Sequence, residues 1–202
     1  MVSPSLKGWS SLKTTRLIGV GGILTCTLLI FAGNTNAVEG KTVDGVYLKA
    51  TVRTPVQMAA FYEARGFPPE ATSLLSKFCF VTVIIRNRSD QVVWLEPSRW
   101  TIETHDNQIF SPLTPEDWSE QWDTVGLAAA QRATFQWTQL PKSRDLQPHE
   151  PVGGNLTLRR FRGKFKLKMV FATGEKQEGK AIRAEIPGLT CDVPPGSSNR
   201  IK

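Results

Sequence analysis

Phe78-Cys79-Phe80-Val81-Thr82-Val83-Ile84-Ile85-Arg86-Asn87 decides the fold class. The run is rich in β-branched and aromatic side chains and holds no proline or glycine. Branching at Cβ narrows the choice of χ1 and suits a pleated, packed surface, so the stretch predicts a strand. Apolar residues fall on both parities, which predicts a central strand covered on both faces. Downstream, Asn87-Arg88-Ser89-Asp90 turns the chain and Gln91–Leu95 returns it. Trp100, Ile102 and Thr104 then alternate with Thr101, Glu103 and His105 up to the turn signal Asp106-Asn107, and Gln108–Leu113 pairs back. Upstream, Val46, Leu48, Ala50 and Val52 alternate with Tyr47, Lys49, Thr51 and Arg53, the period of a half-buried strand.

Helical signals interrupt the strands at two places. Thr54-Pro55 offers a cap followed by a proline at the first helical position, and Met58, Phe61 and Tyr62 recur at helical spacing before Gly66. Pro68-Pro69 opens a second short helix, with Ala71, Leu74, Leu75 and Phe78 on one face. Residues 55–77 are therefore a predicted helical insertion. Thr114-Pro115-Glu116-Asp117 is the strongest helix start and predicts a helix near 115–124. Trp118, Trp122 and Val125 share one of its faces, a spacing expected of a helix packing onto a sheet. Ala133, Phe135, Trp137 and Gln139 read as a strand ending at Leu140-Pro141. A loop over 141–154 precedes a meander: Asn155–Arg162, a turn through Gly163, Phe165–Phe171, a polar turn through 174–179, and Lys180–Ile186.

Seven or eight short strands with frequent turn signals predict an antiparallel β-sandwich. At Leu146-Gln147-Pro148-His149-Glu150-Pro151-Val152-Gly153-Gly154-Asn155-Leu156 the chain resembles the segment before a late strand in exported bacterial immunoglobulin-like domains. Those domains usually carry glycine where this chain has His149. The resemblance covers about eleven residues; it implies the sandwich and no activity, because a fold does not carry a function. The expectation is thus a mainly β, immunoglobulin-like sandwich in one domain, 38–193, with a disordered tail over 194–202.

The N-terminus predicts where the protein works. Lys7, Lys13 and Arg16 precede an apolar run from Leu17 to Gly33, then Asn34-Thr35-Asn36-Ala37, with no acid before Glu39. That order is the layout of a secretory signal peptide cleaved after Ala37, giving a periplasmic or secreted protein. The alternative is an inner-membrane anchor formed by residues 17–33, a run slightly short of the ~20 residues of a bilayer span. Cys26 does not read as a lipid-attachment cysteine, because the apolar run continues past it through Ala32. Losing the leader lowers the formal charge from +7 to +4. An exported chain of that charge does not read as a nucleic-acid partner. Export also turns Cys79 and Cys191 into a disulfide pair, with two buried free thiols as the alternative. Asn87-Arg88-Ser89 and Asn155-Leu156-Thr157 match the glycosylation acceptor pattern.

Candidate surfaces are few. Arg160, Arg162, Lys164, Lys166 and Lys168 share one parity, while Phe161, Phe165, Leu167, Met169 and Phe171 share the other. That hairpin is the candidate surface for an anionic envelope component or an envelope protein partner; the alternative is a solvated outer face guarding a sheet edge. Glu116, Asp117, Glu120 and Asp123 form an acidic pole that the helix dipole alone would favour. Trp94, Trp100, Trp118, Trp122 and Trp137 allow either core packing or a glycan-stacking face. Glu103, His105 and Asp106 are the one metal-like cluster, and His149 beside Glu150 lies far off in sequence, so no metal or cofactor is expected. No nucleophile elbow or zinc-protease helix occurs. The expected role is non-catalytic binding or accessory work at the cell envelope. The alternative is a glycan-binding or hydrolytic protein using exposed tryptophans and loop carboxylates.

Overall fold

The computed structural model describes residues 40–192. The leader, its alternative as an anchor, and the tail 194–202 lie outside the described residues. Along the chain come β1 (Lys41–Val43), β2 (Val46–Arg53), α1 (Pro55–Glu63), α2 (Pro69–Leu75), β3 (Phe78–Asn87) and β4 (Val93–Leu95). A 3-10 turn at Pro97–Arg99 leads to β5 (Thr101–Thr104), β6 (Ile109–Phe110), α3 (Pro115–Thr124) and α4 (Ala129–Trp137). Four strands finish the domain: β7 (Arg144–Leu146), β8 (Pro151–Arg159), β9 (Lys164–Thr173) and β10 (Ile182–Thr190).

The architecture is mainly β, with two antiparallel sheets. One has the order β1-β2-β3-β8. The other runs β6-β5-β9-β4-β7, with β10 on the opposite side of β9. Val46, Leu48, Val81, Val83 and Ile85 of the first sheet share a core with Ile102, Leu167, Met169, Phe171 and Ala184 of the second. Cys79 and Cys191 are disulfide-bonded with their Cα atoms 5.6 Å apart, and so tie the start of β3 to the residue just after β10.

The four helices form a third layer on the outer face of the four-stranded sheet. Met58, Tyr62, Leu74 and Leu75 from α1 and α2 meet Trp118, Trp122 and Phe135 from α3 and α4 around Phe80 of β3. This explains the two-sided apolar pattern of β3. Val81, Val83 and Ile85 face the inter-sheet core, and Phe80 faces the helices. Cover ends partway along, for Ile84 is 45% exposed. The caps expected at Thr54 and Thr114 are both formed, each as a capping box.

The strand expected over 133–139 is corrected: those residues end α4 and its cap. Ala129, Ala130, Gln131, Arg132 and Ala133 are strong helix formers, and Arg132 joins α4 to the end of α3 by bonds to the Leu127 carbonyl and the Asp123 carboxylate. The short alternation through Phe135 and Trp137 was a coincidence of helix faces, one buried and one outward. The strand count rises to ten because β1, β6 and β7 are two- or three-residue pieces, and β8 starts at Pro151 rather than at Asn155.

Two positions in the loops have a specific cause. Glu150 N–H donates to the Gln147 carbonyl at 3.0 Å, with Pro148 second in the turn and His149 third at φ +67°. That is the pattern of a type II turn, whose third position favours glycine, and it is the position where the immunoglobulin-like resemblance leads one to expect glycine. His149→Gly is therefore expected to raise stability by about 0.5–1 kcal/mol, the left-handed penalty less the added unfolded-state freedom. Urea unfolding checks this; a loss of stability would refute the strain. Asn87 is fully buried, its amide donating to the Gln91 and Leu146 carbonyls at 2.7 and 3.0 Å, so the folded protein does not offer it as a glycan acceptor.

Candidate ligand groove on the outer sheet face

The predicted cationic hairpin does not stand as a free row of charge. Lys168 pairs with Glu103, and Lys166 lies 3.7 Å from Glu103 and 3.3 Å from Glu185. The register puts Glu103 opposite Lys166 on β5 and Glu185 opposite Lys168 on β10, so each lysine has an acid on a neighbouring strand. Arg160 donates to the carbonyls of Ser76 and Cys191 at 3.1 and 3.3 Å. Arg162 and Lys164 alone of the five have no hydrogen bond or ion pair among the described residues, and both are exposed.

Lys168, by hydrogen bond and charge, holds the Glu103 carboxyl below its ordinary value of 4.5, with Lys166 adding to it. The same hydrogen bond holds Lys168 above its ordinary 10.5. A depressed carboxyl stabilises the fold above its unfolded pKa and loses that contribution as pH falls through the folded value. The lysine's contribution is complete below its unfolded pKa and is lost as pH rises through the raised one. Wild type should therefore melt above Glu103→Gln at neutral pH. The gap should close as pH falls below the ordinary carboxylate range. A gap that is constant down to full protonation would contradict this pairing.

A different face carries charge without partners. On the outer side of the first sheet, Arg53 pairs with Phe80, Lys49 with Ile84 and Tyr47 with Arg86 across β2 and β3. Lys49, Arg53 and Arg86 make no ion pair among the described residues. Arg53 is fixed by its Nε donating to Thr82 Oγ1 at 2.9 Å, which donates in turn to Asn155 Oδ1 at 2.9 Å. Arg88 lies over the Tyr47 ring at 4.6 Å.

This face runs into an open groove of about 510 Å³ between α1, the end of α4 and the strands β3 and β8. Met58 and Phe61 line one side, Trp137 and Thr138 another, with Thr82, Gly153 and Asn155 below. Arg53 is the one charged lining residue. Trp137 is 85% exposed although it lines the groove. Gly153 leaves the floor flat: a Cβ there would meet only ordinary contacts at 3.6 and 3.9 Å. Behind the floor, Tyr62 hydroxyl and Thr138 Oγ1 are 2.6 Å apart, Gln139 Nε2 donates to Tyr62 at 3.1 Å, and Thr157 Oγ1 donates to Gln139 Oε1 at 3.1 Å. Burial pushes the Tyr62 hydroxyl up, so it remains neutral and serves as a hydrogen-bonding post. A second cavity, about 70 Å³ beside Trp118 and Pro141, has room for little beyond water.

The tryptophans divide accordingly. Trp118 and Trp122 are core, as their spacing predicts, and Trp100 is fully buried; Trp137 alone of them is displayed. Glu103 is committed to lysines, and no group of three His, Cys, Asp or Glu among the described residues is placed to hold a metal. Glu116 of the acidic pole pairs with Lys142 at 2.9 Å, and Asp123 with Arg132 at 2.6 Å. The outward parity of Lys49, Arg53 and Arg86 is visible in the sequence. What the sequence does not reveal is that helices would cover only half of that face and leave these cations without carboxylates.

No family model matches the chain, and no curated protein matches it. Among solved structures it is similar to the yjhA protein from Bacillus subtilis, at 10% identity and a TM-score of 0.39, covering 64% of this chain and 76% of that one. It is also similar to the ycdA protein from Bacillus subtilis subsp. subtilis strain 168, at 14% identity and a TM-score of 0.39, covering 74% of this chain and 38% of that one. A structural-genomics target, SoR45, matches at 12% identity and a TM-score of 0.33, covering 79% of this chain and 83% of that one. Likeness this low transfers no activity, ligand or partner.

Proposed function

We propose that the protein is an exported, non-catalytic binding or accessory protein of the cell envelope, working through the groove beside Trp137. The observation that carries this is the coincidence of an exposed indole, a polar floor and one cation without an ion-pair partner among the described residues, Arg53, in one concave place. Ligand sites are typically clefts of ~300–1,000 Å³ with aromatic walls and a few fixed polar groups. Export rests on the leader, which places the mature protein in the periplasm or outside, or holds it at the inner membrane through residues 17–33. No helix among the described residues is long and apolar enough to cross a membrane. The immunoglobulin-like reading of the fold is supported by two facing antiparallel sheets with an inter-sheet disulfide.

The cationic hairpin is the second reading. It is favoured by the exposure of Arg162 and Lys164 at the β8–β9 turn and disfavoured by the carboxylates on Lys166 and Lys168. Sedimentation of the exported protein with washed envelope fragments separates the two. Trp137→Ala or Gly153→Leu should abolish co-sedimentation, while joint reversal of Lys164, Lys166 and Lys168 to glutamate should preserve it. The opposite pattern would assign binding to the hairpin and refute the groove.

A further inference from the structure

We infer that the ligand of this groove is an anionic oligosaccharide: a chain of pyranoses bearing carboxylate, sulfate or phosphate groups. The inference rests on the groove being the binding surface and names what fills it. Three observations point to this chemistry. Trp137 presents a flat indole to solvent at 85% exposure. The C–H face of a pyranose is electron-poor and lies well on the negative face of such a ring. Thr82, Thr138 and Asn155 line the groove with short hydroxyl and amide groups held by their own hydrogen bonds, suited to a ligand rich in hydroxyls.

The charge selects among sugars. The Arg53 side chain uses Nε on Thr82 and makes no other hydrogen bond among the described residues, so its two terminal nitrogens are a ready fork for an oxyanion. Lys49 continues the row along β2, four residues away, or about 13 Å. Arg86 lies one step further across β3, opposite Tyr47. No aspartate or glutamate lines the groove. A linear ligand can therefore stack one ring at Trp137 and set successive anionic groups on Arg53, Lys49 and Arg86. A peptide strand is disfavoured, because the outer edge of β8 is taken up. Asn155 is bonded to Thr138 and Leu140, Thr157 accepts from Leu113, and Pro151 has no N–H.

The test is calorimetric titration of the mature chain with defined oligosaccharides: oligogalacturonate for carboxylate, heparin fragments for sulfate, phosphorylated oligomannose for phosphate, and dextran as the neutral control. Binding of at least one anionic series and none of dextran is expected. Trp137→Ala and Arg53→Gln should each weaken it about tenfold or more, and Lys49→Gln should lessen its salt dependence. Gly153→Leu, at a site with room for a side chain, should block binding while circular dichroism stays unchanged. Lys166→Gln with Lys168→Gln should bind as wild type. Equal binding of dextran would overturn the anionic class. Binding of anionic phospholipid vesicles but of no oligosaccharide, lost in the same groove variants, would overturn the sugar and leave the groove reading intact. Binding that ignores Trp137, Arg53 and Gly153 but fails with the lysine pair would overturn both.

Discussion

Replacing Cys79 and Cys191 together with alanine is expected to lower stability by about 5 kcal/mol, the chain-entropy value for so long a loop. The bond closes a separation of 112 residues and joins β3 of one sheet to the end of β10 on the other. The bond restricts the unfolded chain, and removing it returns that chain's conformational freedom. At this size each kcal/mol moves the melting temperature by ~2–4 °C, so the midpoint should fall by roughly 10–20 °C. Scanning calorimetry of the double variant and of wild type in strong reductant should agree. Agreement at a shift of only a degree or two would mean that the two sheets are held by their packing alone.

The second large effect is expected at Phe135→Ala, at about 3–5 kcal/mol. Phe135 is 1% exposed and sits among Tyr62, Phe80, Trp118 and Trp122, with ring centroids between 4.5 and 6.5 Å away. It is the buried residue of α4 and reaches α1 through Tyr62, α3 through Trp118 and Trp122, and the sheet through Phe80. Truncation leaves a cavity among rings too stiff to collapse into it. Phe135→Leu should cost less than half as much, since it keeps most of the volume. Two residues on, Trp137→Ala should leave stability unchanged within about 0.5 kcal/mol, as exposed sites usually do. Guanidinium unfolding gives all three values. A cost at Trp137 equal to that at Phe135 would mean that the indole is a core residue and would remove it from the groove.

These two neighbours also mark where the sequence stopped being informative. Period two in β2 and the two-sided run in β3 specified the two central strands of the first sheet, because burial on a pleat leaves a parity signal that little else imitates. Caps at Thr54 and Thr114 were equally clear, since few residue types can satisfy free amide groups at a helix start. Over 129–139 the signals conflicted. Helix propensity of the alanines opposed the alternation of Ala133, Phe135, Trp137 and Gln139, and tertiary packing decided it. At the hairpin the sequence was incomplete for a different reason. Parity showed that Lys166 and Lys168 point outward, but their neutralisation comes from strand pairing, with Glu103 on the distant β5 and Glu185 on the next strand, β10. The same kind of non-local fact works in the opposite direction at Arg53, whose surroundings supply hydrogen bonds and no carboxylate.

The most direct test of the groove is carried by the tryptophan indole N–H signals. In a 1H–15N spectrum Trp94, Trp100, the stacked pair Trp118 and Trp122, and Trp137 report from different places, with Trp137 alone of them displayed. Titration with the anionic oligosaccharide that binds should move the Trp137 signal and the amides of Gly153 and Thr82, saturating together, while Trp100 and the amides of Lys164–Lys168 stay in place. Movement confined to Lys164–Lys168, with Trp137 still, would contradict the account.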